Sequence, residues 1–437
     1  MSNIINDDND ENDEVIIKKE PFIDAEPEPE EKSKKKILLY YGLTVGTVLF
    51  LVLFVFLIAV LLGGTPSNKN SFTSKYISEE NTTIKLFNSD YRYTISSMKI
   101  DYKKVDISDE YFFSSKGEHR VEVFFKNELT STEQLFKGCT NLTEIDISHL
   151  ETRKVTTMAE MFYDCEKLIS IDLSKLDTSN VKNMSNLFNG CFNLESINLK
   201  NINTSNVEYM DYMFFACLNL KSLDLNNINT INVKNMTGMF YLCNSLEKLE
   251  ISNLDTSNVI TMEKMFDSCR SLDYVNLTNF NTSKVNDMSY MFSSSSSLKS
   301  LDLTSFDTKR VVKMNHMFNG CSSLKEINLS SFNTSNLKDM GSMFYNCKSI
   351  TSLNLGNFTT DKVENMRETF SRCQQLNYID IRRFSSKKLN NINYNVFQDV
   401  SEYGTIYFNS ALFGLSFIYK TNINNWKKYD FAFIDNK

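Results

Sequence analysis

The chain has 437 residues, of which 41% are hydrophobic, and a formal net charge of −7 at pH 7. This length and composition are sufficient for a large buried core. Residues 1–36 contain 12 acidic residues and 6 lysines, so they carry −6 of the charge and leave the remainder close to neutral. Because binding to nucleic acid needs a basic face, we expect no nucleic acid partner.

Residues 1–36 have the composition of a disordered acidic tail. The segment includes the runs DDNDENDE and EPEPEE, three of the four prolines and few bulky apolar residues. Such a segment cannot bury enough apolar surface to fold. We interpret it as a solvated cytoplasmic spacer, with a cytoplasmic partner-binding motif as the alternative.

Residues 37–62 are predicted to form one transmembrane helix. They contain no charge, and a helix of this length, about 39 Å, can cross a hydrocarbon core of about 30 Å with some tilt. Four lysines lie within residues 32–36, so the positive-inside rule predicts a cytoplasmic N-terminus, a single-pass signal anchor in the plasma membrane and an extracellular remainder. Gly42 and Gly46 form one G-x-x-x-G pattern, which would support a weak homodimer, although glycine is common in membrane helices.

Two segments connect this helix to the repeats described below. Residues 63–84 are rich in Ser, Thr, Asn and Gly, which predicts a flexible stalk. Residues 85–127 are aromatic and irregular, and residues 121–125 alternate apolar and polar side chains as a strand does. We expect residues 85–127 to form an N-terminal cap, because an uncovered first repeat would expose a row of apolar side chains.

Residues 128–386 contain ten copies of one unit with a period of 26 residues. A phenylalanine recurs at this spacing from Phe136 to Phe370, and 16 of the 18 methionines fall into two further columns. Ser295 occupies the one position of the cysteine column that has no cysteine. A fixed period in this range indicates a solenoid. The cysteine column consists of Cys139, Cys165, Cys191, Cys217, Cys243, Cys269, Cys321, Cys347 and Cys373.

One unit, residues 168–191, shows the predicted local structure. Residues 168–173 read L-x-x-I-x-L and predict a short strand. Residues 177–179, Asp-Thr-Ser, form a polar turn that can cap a helix, and apolar residues then recur at spacings of 3 and 4 over residues 181–191. The unit is therefore predicted to be strand, turn and short helix. A single copy is too short to be stable, so the units must stack.

The repeated phrase L-x-x-I-D-L-S-x-L-D-T-S-x-V-x-x-M-x-x-M-F-x-x-C resembles the BspA-like leucine-rich-repeat surface proteins. The resemblance covers residues 120–430 and departs from the pattern at Ser295, at Thr369 and in the last unit, where Val396 and Phe397 slip out of register. It implies an α/β leucine-rich-repeat solenoid with a parallel sheet on the concave face, short helices on the convex face and a C-terminal cap at residues 387–437. It also implies a surface protein that adheres to host or matrix proteins, and it defines no active site.

No motif predicts catalysis. The three histidines, His119, His149 and His316, do not lie beside a cysteine, serine or carboxylate at a spacing that suggests a nucleophile or a metal site. We therefore expect no enzymatic activity, no catalytic residue, no cofactor and no metal site. The cysteines are expected to be buried free thiols that pack as small hydrophobic groups, with disulfides between adjacent repeats as the alternative.

The outward-facing side chains of the strands are the predicted protein-binding surface. One outward column is occupied by Asp, Asn or Glu in all ten repeats, which favours hydrogen bonds between repeats over a ligand or cation groove. A neighbouring column varies, and variation is what specific recognition needs. The protein-binding candidates from both columns are Glu144, Asp146, Asp172, Asp224, Lys248, Tyr274, Asp302, Glu326, Tyr378 and Asp380.

Among the N-x-S/T motifs, Asn203, Asn281 and Asn333 are the predicted glycosylation sites, because they lie in the turn column away from the sheet. The leading functional hypothesis is an adhesion or ligand-binding protein that holds extracellular, host or neighbouring-cell proteins on the sheet. The alternative is a passive surface coat or spacer without a specific ligand.

Overall fold

The structure is a computed structural model that describes residues 70–389, 395–412 and 423–431. These residues fall within one compact unit, Asn68–Lys437. The predicted acidic tail (1–36), the predicted transmembrane helix (37–62) and its Gly42–Gly46 contact lie outside the described residues. Within the described ranges, no helix is both long enough and apolar enough to cross a membrane.

The described chain begins with a cap of antiparallel strands. The cap consists of β1 (Ser71–Ser78), β2 (Thr82–Lys85), a 3₁₀ helix (Ser89–Thr94), β3 (Ile95–Ile100), β4 (Lys103–Val105), β5 (Glu110–Phe113) and β6 (Gly117–Phe125). The first repeat supplies β7 (Leu142–Asp146), and the sheet order is β4-β3-β6-β1-β7. Because β1 pairs with both β6 and β7, it joins the cap to the repeats through backbone hydrogen bonds.

The cap extends further toward the N-terminus than the sequence predicts. Strand β1 and the first three residues of β2 lie within residues 63–84, which were predicted to be a flexible stalk. Phe72 and Tyr76 on β1 are buried, and the Tyr76 hydroxyl donates a hydrogen bond to the Leu86 carbonyl. The same buried side of β1 also carries two serines, Ser74 and Ser78. These polar residues at buried positions obscure the apolar–polar alternation with a period of two that identifies a strand.

The repeats and the C-terminal cap contribute short parallel strands that form two pairs and one four-stranded sheet. Their bounds are β8 (Ser170–Asp172), β9 (Ser196–Asn198), β10 (Ser222–Asp224), β11 (Lys248–Glu250), β12 (Ser352–Asn354), β13 (Tyr378–Asp380), β14 (Thr405–Phe408) and β15 (Lys427–Asp430). Residues of one column pair directly, as Ile171 does with Ile197. At residues 274–276, 300–302 and 326–328, the chain passes through the same position without regular strand structure. Strands β14 and β15 continue the sheet beyond the last repeat.

The predicted short helices are wrong, because consecutive turns take their place in every described repeat. The N–H groups of Met158 and Phe162 donate to the Asn183 and Leu187 carbonyls of the following repeat, at 2.9 and 3.0 Å. In an α-helix, these groups would donate within their own segment. Glu160 and other residues of its column have a positive φ, which ends any helical turn.

A second parallel ladder links the repeats at the start of these turns. Thr157 bridges Asn183, and the bridges continue through equivalent positions to Asn365. Each repeat is therefore hydrogen-bonded to its neighbour at the strand, at this ladder and along the turns. This network makes the array cooperative although a single repeat has few contacts of its own.

Stacked aromatic rings fill the core beneath the turns. From Phe136 to Phe370, neighbouring rings of the phenylalanine column lie 5.3–5.9 Å apart between centroids. Phe397 continues the stack at 5.2 Å from Phe370, even though its sequence spacing is shifted by one residue. The predicted role of the column as core is confirmed.

The cysteine column is buried beside these rings, and all nine cysteines are free. Eight of them donate S–H hydrogen bonds of 3.0–3.4 Å to the carbonyl of a phenylalanine 29 residues earlier. Ser295 makes the same bond to the Phe266 carbonyl, at 2.6 Å, so it replaces cysteine without leaving a polar group unpaired. Burial raises the pKa of Cys243 to about 12, which keeps it a thiol at neutral pH. The predicted packing of the cysteines as small buried groups is confirmed.

A buried threonine column adds a further set of hydrogen bonds between each repeat and the next. The Thr256 hydroxyl donates to the Asn281 carbonyl (3.0 Å) and accepts from the Asn281 N–H (2.8 Å). Equivalent donor bonds of 2.8–3.0 Å run from Thr178 to Thr360. The sequence predicted this threonine to cap a helix, whereas it fixes the spacing between repeats.

Candidate protein-binding face

The strand face is the outward side of strands β7 to β15 and of the equivalent positions between them. On β10, Ser222 and Asp224 are exposed while Leu223 between them is buried. The same alternation holds on β8, β11 and β12. The predicted orientation of these two columns is therefore confirmed for most repeats.

The structure exposes eight of the ten predicted binding residues. The exposed residues are Glu144, Asp146, Asp172, Asp224, Lys248, Tyr274, Asp302 and Glu326. Tyr378 is half-buried because its ring packs on Tyr407, with 5.6 Å between the centroids. The prediction of an exposed carboxylate is wrong for Asp380, which is only 2% exposed. The Arg382 Nε donates to both of its oxygens at 3.0 Å, and the carboxylate lies against Gly356.

The regular acidic and amide column closes a turn within nine of the ten repeats, Glu250 being the exception. The Asp172 Oδ1 accepts a hydrogen bond from the Ser174 N–H two residues later, at 2.8 Å, and the Asn198 Oδ1 accepts from the Lys200 N–H at 3.1 Å. Equivalent bonds occur at Asp146, Asp224, Asn276, Asp302, Asn328, Asn354 and Asp380. The architectural interpretation is thus correct. The main bond of the column closes a turn within a repeat, and a side-chain bond between repeats, as the sequence predicts, accompanies it between Asp172 and Asn198. The short side chain reaches its own N–H at residue i+2 first.

These turns lower the pKa of three carboxylates of the column, Asp146, Asp172 and Asp302. The hydroxyl and then the N–H of Thr304 lower the pKa of Asp302. A hydrogen bond from the Ser174 hydroxyl is the largest cause that lowers the pKa of Asp172. The Ser174 N–H lowers this pKa further, and desolvation acts in the opposite direction. Asn198, Asn276, Asn328 and Asn354 interrupt the carboxylates, so the column is negative at neutral pH with reduced repulsion between neighbours.

The N-terminal end of the strand face is a groove of about 520 Å³ with internally paired charges. Lys75 on β1 forms ion pairs with Glu118 (3.4 Å) and Glu144 (2.9 Å). Arg120 on β6 pairs with Glu122 at 3.0 Å. The sequence did not predict that Lys75 and Arg120 lie beside the repeats. Both belong to strands of the cap, which do not follow the 26-residue period of the repeats.

Tyr274 is the large exposed side chain in the middle of the strand face, with 56% of its surface accessible. Lys248 and Ser300 are its neighbours in the variable column. On the adjacent column, Lys299 pairs with Asp273 at 3.0 Å. An aromatic ring beside a cation and a small side chain is a suitable anchor for a protein partner.

Two of the three histidines, His119 and His316, have structural contacts. The buried His119 lies 2.8 Å from Asp101 and 3.1 Å from Ser78 and stacks on Phe113. His316 stacks on Tyr290 with 4.4 Å between ring centroids. Across residues 70–389, 395–412 and 423–431, no cluster of three or more His, Cys, Asp or Glu side chains is arranged to hold a metal ion.

The predicted glycosylation sites lie on exposed turns. Asn203, Asn281 and Asn333 are exposed, and each accepts a hydrogen bond through Oδ1 from the N–H of the serine in its motif, at 3.0–3.1 Å. By contrast, the Asn141 Nδ2 donates to the Ile77 carbonyl at 2.9 Å and is therefore engaged in the cap.

Comparison with known proteins identifies the repeats. The family model "Mycoplasma protein of unknown function, DUF285" matches residues 130–245, 216–325 and 297–410, and the model "BspA type Leucine rich repeat region (6 copies)" matches residues 67–178. None of the curated proteins compared matches the sequence.

The chain has low similarity to the solved structures that it matches. One is the TLR13-ssRNA13 complex, with 13% identity, 63% of this chain and 48% of that chain covered, and a TM-score of 0.20. The chain thus spans about half of that protein's length. Another is a leucine rich cell surface protein from Faecalibacterium prausnitzii A2-165, with 14% identity and a TM-score of 0.23. The match covers 63% of this chain and 83% of that chain.

The two family models together extend over the N-terminal cap, the repeats and β14. The DUF285 model alone accounts for most of residues 130–410, well over half of the chain. This chain therefore belongs to the DUF285 family, and its repeats are of the BspA leucine-rich type, as the sequence pattern predicts.

Proposed function

We propose that the protein is a cell-surface binding protein whose strand face holds extracellular or host proteins. Leucine-rich-repeat proteins generally bind other proteins, which supports the general class. The observation that carries the proposal is the strand face itself, where the stacked repeats present an exposed column of varied side chains that includes Tyr274 and Lys248. This column makes no contribution to the turns that hold each repeat together.

The proposal includes a topology and a chemistry. Residues 37–62 would anchor the chain in the plasma membrane with the acidic tail inside and the repeats outside. The function would be adhesion without catalysis or a cofactor. Glycans at Asn203, Asn281 and Asn333 would lie on a corner and leave the strand face open. Protease added to intact cells should remove the repeats and spare the acidic tail, and the opposite result would contradict this topology.

Replacement of Tyr274 tests the binding function. The full chain in detergent micelles should bind an extracellular-matrix preparation saturably, and Tyr274→Ala should weaken this binding at least about tenfold, or about 1.4 kcal/mol. The melting temperature should be unchanged, because most of the ring is accessible. Tyr378 is a poorer test, because its removal also takes away the contact with Tyr407.

Ser300→Ala, in the same column, serves as the matched control and should leave the affinity unchanged. If binding is saturable but Tyr274→Ala has no effect, Tyr274 is not an anchor. If neither cells nor matrix preparations bind saturably, the passive coat or spacer is the better description.

A further inference from the structure

The C-terminal end of the strand face carries three tyrosines on neighbouring parallel strands. Tyr378 on β13, Tyr407 on β14 and Tyr429 on β15 form this tyrosine row. The centroid distances are 5.6 Å between Tyr378 and Tyr407 and 4.9 Å between Tyr407 and Tyr429. Tyr407 pairs directly with Asp380 and Tyr429, so it occupies the column that holds Asp or Asn in most other repeats.

Sequence reasoning missed the row because its spacing departs from the repeat. Asp380 and Tyr407, which pair directly, are 27 residues apart instead of 26. Tyr407 and Tyr429, which also pair directly, are only 22 residues apart. Only the backbone pairing of β13, β14 and β15 places the three rings together.

The tyrosine row lies at the surface, above the core. Ile379 and Ile406, which alternate with its members, are fully buried, whereas Tyr429 remains 45% exposed. The Tyr407 and Tyr429 rings are nearly parallel, with an interplanar angle of 12°. The Tyr407 and Tyr429 rings therefore each cover one face of the other, which leaves fewer open faces for stacking of nucleic acid bases. Phenol edges and hydroxyl groups suit contacts with protein.

Two exposed cations lie close to the row along the chain, Arg383 three residues after the end of β13 and Lys427 at the start of β15. Arg382 neutralises the buried Asp380, and its guanidinium lies 4.6 Å from the centroid of the Phe431 ring. Arg383 and Lys427 are exposed, and neither forms an ion pair with any residue that the structure describes. Asp430, on β15, accepts a hydrogen bond from the Ser410 N–H at 3.0 Å.

The opposite end of the strand face differs in charge pairing. Lys75 has two acidic partners there, Glu118 and Glu144. Electrostatic attraction of a ligand depends on charge that the protein does not already neutralise. Of the two ends, the tyrosine row is therefore the one that favours an acidic ligand.

We propose that the tyrosine row, with Arg383 and Lys427, binds an acidic, extended segment of a partner protein. This inference rests on the proposed function and assigns it a location and a partner chemistry. Three strands about 4.8 Å apart give a row about 10 Å long, which matches about three residues of an extended chain. The phenol groups contact the segment, and the two cations pair with its carboxylates.

Peptide binding to the full chain in detergent micelles tests the proposal. The probe is a fluorescein-labelled decapeptide of alternating glutamate and threonine, measured by fluorescence anisotropy, with a lysine and threonine decapeptide as the charge control. We expect saturable binding of the glutamate peptide alone, weakened by added salt. Arg383→Glu combined with Lys427→Glu should reduce the affinity at least about tenfold, and Tyr429→Ala at least about fivefold.

Lys309→Glu, an exposed charge reversal on a turn outside the strand face, is the matched control and should change the affinity less than about twofold. Thermal melting of each variant identifies any that has lost its fold, and the charge-reversal variants change only exposed side chains.

Three results would overturn the inference: absent or equal binding of the two peptides, no effect of the Arg383 and Lys427 reversals, or tighter binding of a sulfated oligosaccharide through the same residues. Matrix binding that depends on Tyr274 but not on the tyrosine row would overturn this inference and leave the proposed function intact. Absence of saturable matrix binding would count against the proposed function instead, and the peptide result would then show whether the row binds acidic chains.

Discussion

The buried carboxyl group of Asp267 is expected to make the stability of the array depend on pH. Its side chain lies on the turn side of the fifth full repeat after the cap, and only 6% of the residue is exposed. The Ser268 hydroxyl donates a hydrogen bond of 3.0 Å to it. Burial raises the pKa of Asp267 to about 6, and the hydroxyl groups of Ser268 and Ser293 and the charge of Lys264 oppose this rise.

The sign follows from the number of protons bound in each state. Because the pKa is raised above its ordinary value of 3.8, the folded protein holds this proton more tightly than the unfolded chain does. The associated stability is complete below about pH 4 and is lost as the pH rises through about 6. The difference between the two pKa values corresponds to about 3 kcal/mol of unfolding free energy.

Asp267→Asn should remove this dependence, because the amide is neutral at every pH. Asn189 and Asn319 occupy the same column in other repeats, so an amide fits this position. Urea unfolding at pH 8 should show the variant to be more stable by up to about 3 kcal/mol, and at pH 4 the two proteins should differ little. Asp224→Asn is the control, since Asp224 is exposed and its turn-closing oxygen is retained.

The reasoning would be refuted by a variant that is less stable than the original at pH 8. It would also be refuted by a stability difference that is the same at both pH values. The first result would mean that the folded protein stabilises the ionised Asp267 carboxylate, and the second that folding does not change the pKa of Asp267.

Two further substitutions test the columns that hold the repeats together. Thr256→Val should lower the unfolding free energy by about 1–3 kcal/mol, because it leaves the N–H and carbonyl of Asn281 without the bonds they make to the hydroxyl. Thr152→Val is its matched control and should be neutral or slightly stabilising in the same urea titration, since the buried Thr152 hydroxyl has no hydrogen-bond partner among the described residues. Phe240→Ala should cost about 3–5 kcal/mol, because the ring stacks between Phe214 (5.8 Å) and Phe266 (5.6 Å) and its loss leaves a cavity. A decrease below about 1 kcal/mol in thermal or urea unfolding would show that the stack relaxes to fill the space.

The sequence by itself determined the period, the inward columns and the outward face. Leu223 is buried between the exposed Ser222 and Asp224 as the alternation predicts, and the phenylalanine and cysteine columns lie in the core. These features follow from side-chain polarity at fixed spacing, which is a local property of the chain. The family resemblance carried by the repeated phrase was likewise complete in the sequence.

The choice between helix and turns was decided only by the tertiary structure. Apolar residues at spacings of 3 and 4, such as Met184, Phe188 and Cys191, point inward from consecutive four-residue turns as well as from a helix. The Met158 N–H selects the turns because its acceptor, the Asn183 carbonyl, belongs to the next repeat. Such an acceptor exists only once two repeats have stacked.

The ends of the array depended on tertiary structure for the same reason. Strand β1 joins β7 by antiparallel pairing, and Tyr407 and Tyr429 join Tyr378 across irregular spacings. No period in the sequence records these neighbours, because backbone hydrogen bonds between distant segments carry no residue-specific pattern. The sequence thus specified which side chains face outward, and the stacking of strands decided which of them meet.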